Sequence, residues 1–453
     1  MNELPFTLAI ETLSPVRRRE EVRCRRVLRA MERSRMVYDA AWEGRRIVLK
    51  VFSKFAKARY HAMREWRGLE QLKSRQVNSP EPLFFGRSPE GWVVATAWLD
   101  DAVTVGNLWQ TVDAAERRVE TLCLVARELA RQHDRGIIQR DLHLGNFMIR
   151  GREVFTLDPA VMRFHGGPID RLRSIGQVAQ LLSLMPQDAD SEIEAVFRAY
   201  ADARSWAVGS QDLEQLRADH RRSRNQGLER GLRKFLRTNR RHQAIRFGPW
   251  RGVADRKLSE TASLDDLTAR LDEAMMRGRV FKDGGTSFVS QITLGGIEVV
   301  VKRYNHKGLL HSLRHTFKGS RARRNWLNAN RLFLLEIPTP RPLAYIDEYK
   351  GPLVHRSYFI AEFIRGQELH GVLRNPGVSD EQKRRLNDAV MRTLDRMAAH
   401  GITHGDLKHT NVLCDGDRIV FTDLDGMRVH RIAWLQRQSY KRDLARFLRD
   451  IPQ

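Results

Sequence analysis

The amino-acid sequence contains an internal repeat, with one copy in each half of the chain. Arg131–Met148 reads RQHDRGIIQRDLHLGNFM and Arg396–Leu413 reads RMAAHGITHGDLKHTNVL, and the two segments align without a gap. They share an Arg, a Gly-Ile pair, an Asp-Leu pair and an Asn, and a later Asp stays in register as Asp158 and Asp423. Self-similarity of this kind indicates a duplicated structural unit.

The similarity continues upstream of these segments in the same order. RRIVLKVF (Arg45–Phe52) resembles IEVVVKRY (Ile297–Tyr304), and AMREWRGL (Ala62–Leu69) aligns with ARRNWLNA (Ala322–Ala329). Each half reads as strands, a helix, further strands and then mostly helices, as judged from β-branched runs and helical apolar spacing. Chance matches would not keep their order over such a distance. The sequence therefore predicts two homologous domains, at 25–215 and 270–453, joined by a basic linker at 216–269.

The composition bounds the class of protein and its partners. The 453 residues suffice for two to three domains, and the hydrophobic fraction of 42% is typical of globular proteins. Three scattered cysteines predict no disulfide framework, and with no signal peptide or membrane anchor in the sequence we expect a cytoplasmic protein. The net charge of +24 favours nucleic acid, an anionic membrane surface or a polyanionic substrate as partner, although Arg-rich codon usage explains part of it.

The basic linker is the densest cationic stretch. Arg221–Lys257 contains almost no acidic residue and includes the apolar side chains Phe235, Ile245, Phe247 and Trp250. A solvated linker helix is one interpretation of this segment. Binding to a polyanion or to a membrane surface is the other, and the apolar residues favour it slightly.

The repeated residues match the requirements of phosphoryl transfer. This chemistry needs a strand Lys paired to a helix Glu, a loop Asp as base, an Asn five residues later and a downstream Asp for the metal ion. The first half supplies all five in order. They are Lys50 and Glu65 for the nucleotide, Asp141 as catalytic base, and Asn146 and Asp158 as metal ligands.

The second half supplies four of the five. Lys302 is the nucleotide-binding candidate, Asp406 the catalytic base, and Asn411 and Asp423 the metal ligands. Lys408, two residues after the base, is a further catalytic candidate of the kind that steadies the γ-phosphate.

The two halves also depart from the full pattern in different places. Asn325 stands where the first half has Glu65, so Lys302 needs another acidic partner, for which Glu336 is one candidate. Gly284 and Gly285 precede Lys302 and are suited to phosphate binding through backbone N–H groups. The matching stretch before Lys50 lacks such glycines.

At these residues the chain resembles the bacterial lipopolysaccharide kinases, the core-heptose and Kdo kinases of the protein-kinase-like fold. The resemblance is carried by the IVLK and VVVK strands, REW on the helix, IPTPRPLA, HGDLKHTN and FTDLD. It implies an α+β fold of two tandem protein-kinase-like domains, each with a small β-rich amino-terminal lobe and a mainly helical carboxy-terminal lobe. A tandem departs from the usual single domain of that family.

The resemblance further implies ATP and Mg²⁺ as cofactors and a sugar hydroxyl of the lipopolysaccharide inner core, or another anionic glycolipid, as acceptor. We therefore expect a cytoplasmic protein peripherally bound to the anionic face of the inner membrane, with no specific nucleic-acid partner. The excess positive charge agrees with such a partner.

Several alternatives stay open. A protein kinase would explain Lys408, but neither half shows the A-P-E element of an activation segment. A kinase for cationic aminoglycosides is disfavoured because the basic protein would repel such substrates. A catalytically inactive pseudokinase scaffold for lipopolysaccharide assembly, or an RNA-associated atypical kinase, would also fit the charge, although no RNA-binding motif supports the latter.

Overall fold

The computed structural model describes most of the chain as two compact units, Met1–Arg224 and Asn225–Gln453. The described residues are 4–31, 35–53, 56–111, 114–185, 189–263, 265–305, 319–430 and 432–449. Both units mix helices and sheets, which confirms the mixed α and β composition predicted from the sequence. Among the described helices, none has the length and apolar character needed to cross a membrane.

The first unit contains a sheet region followed by a helical region. Its strands are β1 (Phe6–Ser14), β2 (Arg19–Met31), β3 (Arg35–Trp42), β4 (Arg45–Ser53), β5 (Pro82–Ser88), β6 (Gly91–Ala97), β7 (Val103–Thr104), β8 (Ile137–Gln139), β9 (Phe147–Arg150), β10 (Glu153–Thr156) and β11 (Met162–Phe164). Its helices are α1 (Ala58–Ser74), α2 (Val105–Thr111), α3 (Ala115–Asp134), α4 (Arg171–Leu181), α5 (Asp190–Ala203) and the start of α6 (Ser210–Lys234).

The sheet of the first unit is a closed barrel of order β1-β2-β3-β4-β6-β5. Strand β1 closes it by pairing with both β2 and β5. Leu8, Ile10 and Thr12 alternate along β1 and are all buried, as expected for a strand with one face on a core. The unit therefore begins well before the predicted start at residue 25, because this strand removes the free sheet edges.

The second unit has the same sequence of regions. Its strands are β12 (His242–Phe247), β13 (Trp250–Asp255), β14 (Arg279–Gly284), β15 (Ser287–Leu294), β16 (Ile297–Tyr304), β17 (Pro342–Lys350), β18 (Leu353–Glu362), β19 (Gln367–Glu368), β20 (Ile402–Thr403), β21 (Val412–Asp415), β22 (Arg418–Phe421) and β23 (Arg428–Val429). Its helices are the end of α6, α7 (Arg256–Thr261), α8 (Leu271–Arg277), α9 (Arg321–Leu334), α10 (Leu369–Arg374), α11 (Asp380–Ala399) and α12 (Ala433–Arg449).

The predicted linker at 216–269 is not a separate segment in the structure. Strands β12 and β13 extend the sheet of the second unit, which has the order β12-β13-β17-β18-β16-β15-β14. Phe235 and Ile245, which the sequence offered as surface contacts, are buried in the second unit. Their burial explains the difference, since apolar side chains within a basic stretch are here used to complete a core.

Helix α11 precedes the loop that contains Asp406, and specific residues mark both of its ends. Ser379 caps α11 by accepting a hydrogen bond from the Gln382 backbone N–H at 3.2 Å. Just past its end, Gly401 has φ +71°, and an added Cβ would lie 2.8 Å from the His430 carbonyl oxygen. A Ser before the helical run and a Gly just after it are sequence signals for these two helix ends, and Gly401 leads the chain into the loop that follows.

We predict that Trp326 stabilises the second unit through the residues once assigned to the linker. Its side chain is fully buried, and its indole N–H donates to the Phe235 carbonyl oxygen at 3.0 Å. Trp326→Ala should lower the free energy of unfolding of this unit by about 3–5 kcal/mol, measured by urea denaturation. Trp434→Ala, at an exposed tryptophan, is the control. Equal stability of both variants would contradict this packing.

A pH-dependent prediction concerns Asp347 on β17. Burial raises the pKa of this carboxyl to about 7, although Ser320 and Arg323 act in the opposite direction. Because the folded chain keeps the proton up to higher pH than the unfolded chain, stability falls as pH rises from about 4 to about 7. Asp347→Asn should therefore stabilise the unit by about 3 kcal/mol at pH 8 and by less at pH 5.

The measurement is chemical denaturation of both proteins at the two pH values. Asp417→Asn, at an exposed turn residue, is the matched control and should change stability little at either pH. A stability difference for Asp347→Asn that is the same at pH 5 and pH 8 would refute the assignment.

Candidate active sites

Each unit holds a strand lysine against two carboxylates. In the first unit Glu65 is the partner of Lys50 that the sequence offered, whereas Asp158, offered as a metal ligand, contacts the same lysine. Lys50 lies on β4, a strand paired on both sides, by β3 and β6. Its ammonium group donates to Glu65 on α1 and to Asp158 Oδ1, the latter at 2.5 Å. Burial lowers the pKa of Lys50, but the two carboxylates raise it more, so the ammonium form is favoured.

In the second unit, the two carboxylates come from a single segment. Lys302 on β16 lies 2.6 Å from Asp423 Oδ1 and 3.0 Å from Asp425 Oδ2. Burial raises the pKa of Asp423, but Lys302 lowers it more, and the net pKa is below the usual value. The acidic partner sought for Lys302 is thus Asp425, whereas the sequence had offered Glu336.

Asn325 takes the helix position of Glu65 but has a different task. Its side-chain amide donates to the Tyr304 hydroxyl at 3.1 Å, and that hydroxyl donates to Asp425. Arg321 also donates to Asp425, at 2.9 Å. The helix of the second unit therefore supports the carboxylate of Asp425 instead of supplying one of its own.

The downstream Asp adopts the same unusual backbone conformation in both units. Asp158 has φ 51° and ψ 57°, and Asp423 has φ 51° and ψ 60°. This left-handed region is uncommon for residues other than glycine, although Asp tolerates it better than most. Each Asp immediately precedes a short 3-10 helix. The shared conformation turns the carboxylate out of the strand end and towards the lysine.

The two catalytic-loop candidates are built alike. The side-chain N–H group of Asn146 donates to the Asp141 carbonyl oxygen at 2.8 Å, and Asn411 makes the same bond to Asp406 at 2.8 Å. The Asn411 carbonyl oxygen in turn accepts from the backbone N–H of Thr422, the residue before Asp423, at 2.9 Å. The base candidate, the amide and the second metal candidate are therefore fixed to one another by hydrogen bonds.

Around Asp406, the second loop has additional support from two directions. The fully buried His404 donates from Nε2 to the Thr422 carbonyl oxygen at 3.0 Å, and burial lowers its pKa, which favours the neutral ring. Asp443 on α12 accepts from the Gly405 N–H at 2.9 Å. Arg446, on the same helix, donates to the Gly405 carbonyl oxygen at 2.6 Å and lies 3.7 Å from Asp406.

The first loop uses amides where the second uses charges. Gln139, at the position of His404, donates from Nε2 to Gln132 Oε1 at 2.9 Å. Gln177 on α4 binds the backbone of Gln139, accepting from its N–H at 3.2 Å and donating to its carbonyl oxygen at 2.8 Å. Asp141 is more exposed than Asp406, and the cation-capable side chain nearest to its carboxylate is His143, whose Nε2 lies 3.8 Å from Asp141 Oδ2.

Three further predicted residues, Lys408, Gly284 and Gly285, belong to the second unit. Lys408 Nζ lies 3.3 Å from Asp406 Oδ1, so its ammonium group is beside the base candidate. Gly284 and Gly285 lie at the turn of the β14–β15 hairpin, whose second strand pairs with the strand of Lys302. A Cβ added at Gly285 would meet nothing within 4 Å, so space alone does not require glycine there.

The donor sets suit Mg²⁺ bound together with nucleotide phosphates. Within the described residues, no cluster of three or more His, Cys, Asp or Glu side chains could hold a metal by itself. Mg²⁺ commonly takes one or two carboxylates and completes its shell with phosphate oxygens and water. Because Asn411 commits its amide N–H to Asp406, its oxygen is the atom left for a cation beside Asp423.

Sequence reasoning missed the residues that support the second loop. Asp425 was visible in the D-L-D pattern, but its role depends on Tyr304 and Asn325, which no spacing rule connects to it. Asp443 and Arg446 lie on the last helix, where an isolated Asp among basic residues gave no signal.

Comparison with known proteins gives one family match. Residues 256–452 match the family model described as the lipopolysaccharide kinase (Kdo/WaaP) family. The matched range lies in the second unit and contains Lys302, Asp406, Asn411 and Asp423. It supports the prediction that the protein is a kinase. No curated protein matches the chain.

Solved structures of kinases show a distant similarity. A rhoptry kinase from Toxoplasma gondii has 12% identity and a TM-score of 0.30, over 48% of this chain and 76% of that chain. The PknI kinase domain from Mycobacterium tuberculosis has 17% identity and a TM-score of 0.29, over 45% of this chain and 95% of that chain. The kinase prediction therefore rests on the family match and on the geometry of the two centres.

We predict that Asp425 does for Lys302 what Glu65 does for Lys50. In a Lys50→Met background, which disables the first centre, Asp425→Ala should weaken Mg·ATP binding at least about tenfold by removing a charge-assisted bond. Adding Asn325→Glu should restore part of the affinity, because the carboxylate then arrives from the helix. Isothermal titration calorimetry measures both effects.

The control for this series is Glu273→Ala, which removes an exposed carboxylate elsewhere in the unit. It should leave the affinity unchanged. If Asp425→Ala binds Mg·ATP as tightly as its parent, the proposed equivalence of the two carboxylates is wrong.

Proposed function

We propose that this chain is an ATP-dependent phosphotransferase of two duplicated kinase-like units, and that the second unit phosphorylates a sugar hydroxyl of the lipopolysaccharide inner core. One observation carries the proposal. Lys302 meets the carboxylates of Asp423 and Asp425 beside a loop that holds Asp406 and Asn411 in fixed relation to Asp423. The family match to residues 256–452 supports the same unit and the same class of acceptor.

The residues divide the work between the nucleotide and the acceptor. Lys302 would bind the α- and β-phosphates of ATP, while Asn411 and Asp423 would hold Mg²⁺. The metal ion, when bound, neutralises charge on the β- and γ-phosphates. Asp425 keeps Lys302 in place, and Tyr304 with Arg321 keeps Asp425 in place.

The transfer itself needs a base and a stable geometry. Asp406 takes the proton of the sugar hydroxyl, whose oxygen forms a bond to the γ-phosphorus as the bond to the leaving ADP oxygen breaks. Lys408, 3.3 Å from Asp406, lies where it can bind the transferred phosphoryl group. Asp443 and Arg446 hold the backbone of Gly405, so the base stays positioned without a large rearrangement.

The first unit has the lysine and both metal candidates but a less supported base. Among the residues that the structure describes, Asp141 has no counterpart of Arg446, and its loop is held by the neutral amide of Gln177. We propose that this unit binds nucleotide through Lys50, Glu65 and Asp158 and contributes less to phosphoryl transfer. The acceptor and the charge of +24 both favour action at the cytoplasmic face of the inner membrane.

The proposal predicts different effects of removing each base. Core oligosaccharide from cells lacking the gene should lose the mass of one phosphate, and the wild-type gene should restore it. Asp406→Ala should fail to restore it, because removing a general base commonly costs 10² to 10⁴ in rate, roughly. Asp141→Ala should restore it largely. The measurement is mass spectrometry of the isolated core.

Asp415→Ala, at an exposed residue near the end of β21, controls for nonspecific effects of substitution in this lobe. If neither Asp406→Ala nor Asp141→Ala changes the core masses, the kinase assignment fails for this acceptor. If only Asp141→Ala does, the roles of the two units are reversed.

A further inference from the structure

Only one side of the last helix, α12, contacts the loop that holds Asp406. The inward side of α12 carries Asp443 and Arg446, which bind Gly405, and Phe447, which packs edge-on against His409 at 4.5 Å between ring centroids. At about 100° per residue, Trp434 lies on the side opposite Asp443. One side of the helix is therefore fixed to the loop of Asp406, and the opposite side, which carries Trp434, is exposed.

The outward side is apolar near its start. Trp434 is 58% exposed and Ile432 is 50% exposed, and Val429 and Leu435 nearby are also exposed. Near the end of the helix Leu448 is exposed as well. Single exposed apolar side chains are ordinary, but a cluster that includes a tryptophan marks a contact surface.

The same side is otherwise cationic. Arg428, Arg437, Lys441, Arg442 and Arg449 are exposed around these apolar residues. From Met427 to the end of α12 the sequence has a single acidic residue, Asp443, and it is buried on the inward side. Exposed apolar residues among cations, with no exposed acid, are the pattern of a helix that lies in the interface of an anionic bilayer.

We propose that the outward side of α12, together with Val429 and Ile432, docks the protein on an anionic membrane surface. Trp434, Ile432 and Leu435 enter the headgroup region, and the flanking Arg and Lys side chains bind lipid phosphates. Charge complementarity selects this occupant over a second copy of the chain, which would have to bring the same cations together.

The basic stretch that was predicted to be the linker is the alternative membrane-binding surface, but it exposes fewer apolar side chains than α12. Its apolar residues Phe235 and Ile245 are buried in the core, which leaves Phe247 at the tip of the β12–β13 hairpin. That single exposed phenylalanine between Arg246 and Arg251 is a suitable control, because it shares the chemistry but not the connection to the catalytic loop.

Because α12 contacts both the proposed membrane surface and the loop of Asp406, membrane docking would also position that loop. Docking through Trp434 sets the distance of Gly405 and Asp406 from the bilayer, because Asp443 and Arg446 fix that loop to the same helix. An acceptor sugar could then reach Asp406 while its lipid anchor stays in the membrane. This last step rests on the proposed function, whereas membrane binding itself does not.

Binding of the full-length protein to vesicles tests the inference without acceptor or ATP. Wild type should float with phosphatidylcholine vesicles that contain phosphatidylglycerol and not with pure phosphatidylcholine. Trp434→Ala with Leu435→Ala, and separately Arg437→Gln with Lys441→Gln, should each weaken this binding at least about tenfold. Phe247→Ala should change it less than about twofold. The thermal stabilisation by Mg·ATP, read in parallel, shows that each variant is folded.

A second measurement follows Trp434 directly. Wild-type tryptophan emission should shift to shorter wavelength on addition of the anionic vesicles, and Trp434→Phe should remove most of that shift. Unchanged vesicle binding in both double variants, or a loss in Phe247→Ala alone, would overturn the proposal. So would a dimer that Trp434→Ala converts to monomer without any effect of vesicles, since a second copy would then cover this surface.

The two proposals can fail separately. If the α12 variants lose vesicle binding but core phosphorylation never depends on Asp406, the docking surface stands and the proposed acceptor falls. If phosphorylation depends on Asp406 and vesicle binding does not depend on α12, the reverse holds.

Discussion

A lysine ammonium held between two carboxylates is the interaction on which both units depend. A buried cation is costly unless its charge is paired, and neither Lys50 nor Lys302 would be tolerated on a central strand without its partners. One partner is always the left-handed Asp at the strand end. The other comes from the helix as Glu65 in the first unit and from the strand-end segment as Asp425 in the second. The same electrostatic requirement has thus been met by two different elements.

The use of Asp425 in place of a helix carboxylate marks a limit of what the sequence predicts. The repeat, the strand lysines, the loops and the metal candidates were predicted because each depends on local spacing and order, which a single sequence displays. Asp425 was not recognised as the partner of Lys302, because its position depends on Tyr304, which lies far from it along the chain and meets it only after folding.

The unit boundaries were missed for a related reason. A run of arginines predicts a solvated linker. The apolar residues between these arginines instead pack into the core of the second unit, and the sequence does not show which core they join. Strand β1 likewise lies before the predicted domain start at residue 25, although it closes the barrel. Composition describes the exposed surface of such segments well and their buried side poorly. This difference also moves the proposed membrane contact from the basic stretch to α12, where the apolar residues are actually exposed.

We propose that the centre around Lys302 and Asp406 transfers the γ-phosphoryl group of ATP to a membrane glycolipid. The most direct test incubates the purified full chain with Mg²⁺, γ-labelled ATP and isolated lipopolysaccharide, and then follows the label. We expect label in the core sugars for wild type and almost none for Asp406→Ala. Label found only in protein, or only as free phosphate, would contradict it.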